Sequence, residues 1–211
     1  MINKLYLKNS NIPQRYLDLS KDFKTPSVDK IPYRQLGDIM NHAREFVTQG
    51  NNLLICSNFV GNGKTTWATK ILLAYIESVS NYSHISNSPG LFINVTNFLN
   101  EKRMSMNSPE LKEKINRIEN SILTADLVVF DDIADKSISN FEYNNLYYWI
   151  DYRVSNMKSC IFTSNRLQDN LPDYLPEKLC SRIISYSIIE EFISEYDFRR
   201  GVDNVSTTSS D

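Results

Sequence analysis

Short apolar runs recur along the chain and predict its strands. Each contains four to seven residues, few of them polar, and such continuous runs are typical of strands covered on both faces of a parallel sheet. Gly, Pro, Asn or Ser lies close to most of them, which favours short connections. The runs are 53–56, 91–94, 125–130, 159–163 and 183–189.

Segments with helical periodicity lie between these runs. One begins at Pro32 and ends at Gly50, another follows the first strand, and a third begins near Asn140. Shorter helices are predicted at 12–19 and 172–181, a charged helical segment follows the second strand, and 81–90 reads as a loop. Strands that alternate with helices predict an α/β fold with a parallel sheet.

The strand 53–56 is followed by a glycine-rich loop and then by a helix. This order of elements makes a phosphate-binding P-loop the preferred interpretation, because the backbone N–H groups of the loop and the helix N-terminus point at one spot. Lys64 would neutralise phosphate charge, and the Thr65 hydroxyl would ligate Mg²⁺. The predicted cofactor-binding residues are Asn58, Gly61, Asn62, Gly63, Lys64, Thr65 and Thr66.

Asn58 departs from the pattern G-x-x-x-x-G-K-[ST], which has glycine at this position. Asn tolerates left-handed backbone better than most residues, so the loop is expected to survive the change. Position 58 is therefore where weakened nucleotide binding is first to be sought.

Two acids, Asp131 and Asp132, end the third apolar strand. This arrangement matches a Walker B strand, in which the first acid binds Mg²⁺ and the second orients or deprotonates the attacking water. Asp132 is one methylene shorter than glutamate, which predicts slow hydrolysis. The alternative is a buried strand that ends in a solvated turn.

Three further polar residues complete the candidate catalytic set. Asn165 follows the strand 159–163 and would lie beside the γ-phosphate. Arg182 would act on the neighbouring subunit's site, and Arg199 would reach the phosphates of its own chain. The alternative for both arginines is a solvated surface position.

Bulk properties exclude several classes of function. The chain has 211 residues, enough for one sizeable domain, and a net charge of −2, so any DNA contact is expected to be local. No apolar run is long enough to span a bilayer and no signal peptide is visible, so we expect a cytoplasmic protein without membrane contact. Three separated cysteines read as small buried hydrophobes, and His42 and His84 lack partners for zinc.

The order of these elements resembles the AAA+ ATPases. Within them it is similar to the replicative helicase loaders of the DnaC/DnaI type and to the related IstB-type transposition ATPases. The phrases GNGKTTWA, VVFDDI, IFTSN and LCSRI show the similarity, over roughly residues 33–200. It implies a three-layer P-loop NTPase of the AAA+/ASCE class, with a five-stranded parallel sheet and a reduced C-terminal lid.

The resemblance also implies cofactors and partners. It implies ATP and Mg²⁺, a head-to-tail homo-oligomer with nucleotide at its interfaces, a DnaB-type replicative helicase hexamer and single-stranded DNA. Lys102 and Arg103 match the position of the loaders' DNA-contacting residues. A solvated helix face is the competing interpretation of this charge run.

Three regions are predicted. They are an N-terminal extension at 1–32 that binds a partner, an AAA+ domain at 33–200 and a disordered tail at 201–211. Loaders of this family have a separate N-terminal domain, whereas about 50 residues precede the P-loop here. Compactness and the Asn and Tyr content suit a phage or mobile-element version.

The leading hypothesis is therefore an ATPase that loads or remodels a replicative helicase on single-stranded DNA. Two alternatives stay open: a transposition helper ATPase acting on duplex DNA, and a non-hydrolysing inhibitor that occupies the helicase machinery. Asn58 and Asp132 are the residues that keep the inhibitor in consideration.

Overall fold

The structure is a computed structural model. It describes residues 4–17, 26–80, 88–134 and 136–199, together with the backbone of 202–203. Parts of two sequence predictions, the N-terminal extension and the loop 81–90, lie outside these residues, as does most of the tail 201–211.

Five parallel strands form the central sheet, in the order β2-β3-β4-β1-β5. The strands are β1 Asn52–Cys56, β2 Gly90–Asn94, β3 Leu127–Asp131, β4 Ser159–Ser164 and β5 Ser187–Glu191. Strand β1 lies between β4 and β5, with Leu54 opposite both Phe162 and Ile189. The predicted five-stranded parallel α/β sheet is confirmed, and its carboxyl ends meet at one edge, where ligands bind in folds of this kind.

Eight α-helices flank the sheet within the described residues. They are α1 Lys4–Asn9, α2 Lys30–Asn41, α3 Ala43–Thr48, α4 Lys64–Val79, α5 Val95–Ser105, α6 Pro109–Thr124, α7 Asn140–Ser155 and α8 Glu177–Ile184. None of them is both long and apolar enough to cross a bilayer.

Alternate strand residues face two separate hydrophobic clusters. Leu53 and Ile55 of β1 pack with helices α2, α3 and α4 on one face. Leu54 and Cys56 pack with α5, α6, α7 and α8 on the other. Successive side chains of a strand point to opposite faces of the sheet, so the apolar strands pack against a layer of helices on each face. All three cysteines are buried thiols outside any disulfide, and they pack as small hydrophobic residues.

Arg153 of α7 is completely buried and has no carboxylate partner among the described residues. Its guanidinium donates to the carbonyls of Ile122 at 2.6 Å, Ala125 at 2.8 Å, Asp126 at 3.1 Å and Ser159 at 2.6 Å. These carbonyls lie at the end of α6 and next to the starts of β3 and β4. One side chain therefore satisfies backbone acceptors that helix and sheet leave unpaired.

The first described segment lies along the outer edge of the sheet. Phe92 of β2 donates its N–H to the carbonyl of Ser10 at 2.8 Å, and Tyr6 and Ile12 are buried in the same cluster as β1. This contact covers part of an otherwise open edge strand. The domain boundary predicted near residue 32 stays a prediction.

Several predicted helix bounds were wrong. The segment 32–50 is two helices, because the backbone of His42 departs from helical geometry and its ring nitrogen bonds the Asp38 carbonyl at 2.9 Å. The charged segment after β2 is also two helices, the second capped by Ser108. Within 12–19 the described part contains only a 3-10 turn, Gln14–Tyr16.

The region around residues 172–189 also differs from its prediction. A 3-10 helix covers Gln168–Asp173, and Pro176 precedes α8. Ile183 was assigned to a strand, but it continues α8 because it lies four residues after Leu179 on the same buried face. The strand β5 begins only at Ser187.

A small ribbon follows β5. Its two antiparallel strands are β6 Tyr196–Asp197 and β7 Val202–Asp203. In the described part of the chain no α-helix follows β5. The reduced lid that the resemblance implied stays a prediction.

Candidate nucleotide-binding site

A cavity of about 390 Å³ opens at the carboxyl edge of the sheet. The loop between β1 and α4 forms its floor, and the residues after β3, β4 and β5 form its walls. Its lining residues are Arg15, Tyr16, Val60, Gly61, Asn62, Gly63, Lys64, Thr65, Thr66, Asp132, Asn165, Phe198 and Arg199. Six of the seven predicted cofactor-binding residues therefore lie in one cavity.

Two glycines give the loop its shape. Gly61 has φ of +76° and Gly63 has φ of +97°, a region in which a Cβ is strained. Gly63 is the residue that precedes the first turn of α4, so the helix begins at Lys64 and its free N–H groups face the cavity. The Tyr33 hydroxyl donates to the Asn62 carbonyl at 3.1 Å and fixes the loop from behind.

Asn62 is completely buried and connects three parts of the site. Its amide donates to the Ser57 hydroxyl at 2.7 Å and to the Ser194 carbonyl at 3.4 Å. Its side-chain oxygen accepts from the Lys64 ammonium at 3.1 Å. The loop is thereby tied to the end of β1 and to the segment after β5.

Lys64 is buried and its ammonium points back into the loop. It donates to the Phe59 carbonyl at 2.7 Å in addition to Asn62. Burial lowers the pKa of Lys64 to about 8, and the nearby Asp132 carboxylate opposes this effect. A buried cation with only neutral acceptors as direct partners is well placed to bind an anion.

Asp131 ends β3 and is almost completely buried. Thr163 donates its hydroxyl to Oδ1 at 2.8 Å, and the Asn94 amide lies 3.4 Å from Oδ2. The Thr65 hydroxyl lies beside this carboxyl. Burial raises the pKa of Asp131 above its ordinary value, which these hydrogen bonds only partly oppose.

Asp132 turns away from the strand in a left-handed conformation, with φ of +59°. Its backbone N–H donates to the Thr163 hydroxyl at 2.9 Å. Its carboxylate faces the cavity and lies 3.4 Å from the side-chain amides of both Asn94 and Asn165. The amides of Asn94 and Asn165 thus fix the orientation of the Asp132 carboxylate. They come from the ends of β2 and β4, the two strands that flank β3.

The residues around Thr65 fit a magnesium ion. The Thr65 hydroxyl and the Asp131 carboxylate are hard oxygen donors, which Mg²⁺ prefers, and they lie beside each other. Among the described residues, the buried Asp131 carboxyl accepts hydrogen bonds from neutral donors, Thr163 and Asn94. A divalent cation would supply the missing positive charge.

Arg199 enters the cavity from the ribbon after β5. Its N–H and its Nε donate to Asp197 Oδ1 at 2.8 and 3.3 Å. Asp197 is buried against the loop, and the neighbouring Phe198 N–H donates to the Gly61 carbonyl at 3.0 Å. The predicted approach of Arg199 to the phosphate site of its own chain is geometrically possible.

Comparison with solved structures identifies the architecture. The DnaC helicase loader superposes with a TM-score of 0.64 at 21% identity, covering 85% of this chain and 99% of that one. DnaI gives 0.60 at 19% identity, covering 86% and 94%. The chain has the fold of an AAA+ domain. This confirms the fold implied by the resemblance of the sequence to helicase loaders.

A third similar structure is the replication initiator DnaA bound to AMPPCP and single-stranded DNA. Its TM-score is 0.59 at 18% identity, over 81% of this chain and 48% of that one. No family model and no curated protein sequence matches this chain. The similarity to these proteins is therefore one of fold.

Some residues that the sequence assigned to the site do not line the cavity. Asn58 is exposed and does not line it, and its φ is not positive, so the expected left-handed backbone at this position was wrong. The left-handed positions are Gly61 and Gly63 instead. The roles predicted for the residues in the cavity stay predictions.

Arg182 is also remote from the cavity of its own chain. It lies on α8, where its Nε forms an ion pair with Asp151 of α7 at 2.7 Å and its side chain is 32% exposed. The Asp151 carboxylate raises the pKa of the guanidinium. Such an exposed position is the one that a residue acting on a neighbouring subunit would need.

Lys102 and Arg103 differ in their surroundings on α5. Lys102 forms an ion pair with Glu119 of α6 and lies over the Trp149 ring. Arg103 is exposed, with its guanidinium 5.3 Å from the centre of the Phe141 ring. Of the two, Arg103 is the more accessible to a nucleic acid.

The sequence interpretation missed three residues of the site. Asn94 had a usable signal, since it is a polar residue at the end of a predicted strand whose neighbour ends in Asp131. Arg15 and Tyr16 had none, because about 50 residues separate them from the loop and only the chain path along β2 brings them to the cavity.

Proposed function

We propose that this protein is an ATPase of DNA replication that loads or remodels a replicative DNA helicase on single-stranded DNA. ATP would be bound and hydrolysed at interfaces between subunits. The observation that supports this most directly is the convergence of Lys64, Thr65, Asp132 and Asn165 on one cavity. Asp131 is buried next to Asp132 and accepts from Thr163. Similarity in fold to DnaC and DnaI supports the replication context.

Each residue has a distinct role in the proposed reaction. Lys64 and the N–H groups at the start of α4 bind the phosphates. Asp132, oriented by Asn94 and Asn165, accepts a hydrogen bond from the attacking water and aligns it with the γ-phosphate. Thr65 and Asp131 would hold a magnesium ion, which would supply positive charge to neutralise the phosphates.

The two arginines would stabilise charge that develops on the transferred phosphoryl group. Arg199 lies in the cavity of its own chain, so it would act in cis. Arg182 would act in trans, since α8 lies away from that cavity and the guanidinium is partly exposed. A head-to-tail oligomer is therefore part of the proposal.

Nucleotide binding by matched lysine variants is the first test. Lys64→Ala should abolish binding of ATP·Mg²⁺, because it removes the buried cation. Lys70→Ala should bind as the wild type does, since Lys70 lies on the same helix outside the cavity lining. Binding is measured by calorimetry, and unchanged affinity in Lys64→Ala would refute the proposed site.

The DNA and helicase parts need a second experiment. ATP turnover is measured alone, with single-stranded DNA, with duplex DNA, and with a purified DnaB-type hexamer. Stimulation by single-stranded DNA and co-elution with the hexamer support the loader. Preference for duplex DNA would favour a transposition helper, and binding to the hexamer without turnover would favour an inhibitor.

A further inference from the structure

The N-terminal segment reaches the nucleotide cavity by a defined path. The Ser10 carbonyl accepts from Phe92 N–H, and the Ser10 hydroxyl, which is completely buried, donates to the Leu7 carbonyl at 2.7 Å. Farther on, the Tyr16 ring lies 6.2 Å from the Phe92 ring. These two contacts, one with the backbone and one with the ring of Phe92, hold residues 10–16 along the sheet edge and direct them to its carboxyl end.

Arg15 and Tyr16 form the wall of the cavity at that end. The Arg15 guanidinium lies over the Tyr16 ring, 4.6 Å from its centre. The Thr65 hydroxyl lies beside both the Tyr16 phenol and the Asp131 carboxyl, and it partly offsets the rise that burial causes in the pKa of each. Arg15 is close enough to lower the pKa of the Asp131 carboxyl.

These contacts locate Arg15 relative to a bound nucleotide. In a P-loop site the Thr hydroxyl and the first acid hold the metal that bridges the β- and γ-phosphates. A cation beside Thr65 and Asp131 is therefore at the γ-phosphate end. Lys64 approaches the phosphates from the loop, and Arg199 lies on the ribbon after β5.

We propose that Arg15 binds the γ-phosphate of ATP and that Tyr16 positions its guanidinium, so that the N-terminal segment distinguishes ATP from ADP. This inference rests on the proposed nucleotide site. Arg15 lies on the cavity wall with its guanidinium over the Tyr16 ring, and a γ-phosphate would give it an anionic partner there. With ADP the guanidinium lacks that partner.

Arg15 and Tyr16 belong to the segment 1–32, for which the sequence predicted binding of a partner. Residues 10–16 contact both β2 and the cavity, so their conformation is expected to depend on whether Arg15 binds a γ-phosphate.

The test compares the affinities for ADP and for the non-hydrolysable analogue AMPPCP, both with Mg²⁺. Arg15→Ala should weaken AMPPCP binding on the order of 10- to 100-fold, the range for a lost charge-assisted hydrogen bond, and change ADP binding by about twofold or less. Arg34→Ala, which removes an exposed arginine of α2, should change neither. Arg15→Lys should retain part of the preference.

Tyr16 provides an independent readout. Tyr16→Ala removes the ring beneath the guanidinium and should lower the ratio of AMPPCP to ADP affinity, whereas Tyr16→Phe keeps the ring and should preserve most of it. Equal losses for both nucleotides in Arg15→Ala, or no loss, would overturn the inference while leaving the proposed function intact. Failure of the wild type to bind either nucleotide would overturn both.

Discussion

The carboxylate of Asp197 packs directly against the Cα of Gly61. A Cβ at position 61 would lie 1.9 Å from Asp197 Oδ1 and 2.2 Å from its Cγ. Glycine is therefore required here for two reasons, its positive φ and the close approach of a buried carboxylate. The glycine-rich loop and the ribbon that positions Arg199 therefore form one packed unit.

Replacing Gly61 by Ala should disrupt this unit. The left-handed backbone alone costs about 1 kcal/mol for a non-glycine residue, and the overlap with Asp197 forces the ribbon or the loop to move. We expect ATP affinity to fall by about tenfold or more, measured by calorimetry.

Gly37→Ala is the matched control for this substitution. A Cβ at Gly37 meets nothing within 4 Å, and alanine is favoured in helix α2 by about 0.5–1 kcal/mol. This variant should be slightly more stable and should bind ATP normally. Adding Asp197→Ala to Gly61→Ala should recover part of the folding stability, and no recovery would show that backbone strain alone is responsible.

ATP binding should be coupled to proton uptake by Lys64. Burial lowers the pKa of Lys64 to about 8. A phosphate beside the ammonium would favour its protonated form. Affinity should therefore decrease as pH rises above about 8. Calorimetry in two buffers of different ionisation enthalpy at about pH 8.5 should give different apparent enthalpies.

The same comparison near pH 6.5 is the control, since Lys64 is then protonated in both states. Lys64 also affects stability with a defined sign. Its folded pKa lies below its ordinary value of 10.5, so the unfolded chain binds more protons between about pH 8 and 10.5, and the stability should rise with pH there. The Lys64→Met variant should lack this rise.

Arg182 should act on the site of a neighbouring subunit. Arg182→Ala is expected to lose on the order of 10³-fold in turnover while ATP binding within its own chain is retained. Mixing Arg182→Ala with Lys64→Ala subunits should restore some hydrolysis, because mixed interfaces contain one complete site. No recovery in the mixture would argue for a role within the chain, beside Asp151.

Arg153 should be essential for stability without any role in nucleotide binding. Arg153→Met leaves buried carbonyls at the ends of α6 and beside β3 and β4 without a donor, which should cost at least about 3 kcal/mol in the free energy of unfolding. Urea denaturation measures the loss. The control Arg117→Ala removes an arginine that is 74% exposed and should stay within about 0.5 kcal/mol of the wild type.

The two candidate DNA-binding residues of α5 should contribute unequally. Arg103→Ala should weaken binding to single-stranded DNA and reduce its salt dependence, because its guanidinium is exposed. Lys102→Ala should weaken it less, because Lys102 is already paired with Glu119. Fluorescence anisotropy at several salt concentrations tests this order, and equal effects of the two variants would contradict it.

Sequence patterns predicted the sheet and the core of the site because both depend on local signals. The strand ending in Asp131 is apolar at the four positions before that residue, and this pattern is visible without knowing its neighbours. Gly61 and Gly63 mark a loop that needs positive φ angles. The parallel order of strands then brings the ends of β1, β3 and β4 to one edge.

Helix bounds were less predictable. The apolar period continues from Tyr33 to Val47, yet the helix is broken at His42, whose backbone leaves helical geometry and whose ring nitrogen bonds the Asp38 carbonyl. A competing hydrogen bond of this kind leaves the hydrophobic period unchanged.

The sequence alone determined where the glycine-rich loop lies and which acids stand at the end of β3. Only the tertiary structure decided that Arg15 and Tyr16 line the cavity, that Asp197 packs against Gly61, and that Arg153 caps three elements at once. The physical reason is distance along the chain. These contacts join residues that no periodicity relates, so they exist only after the sheet has assembled.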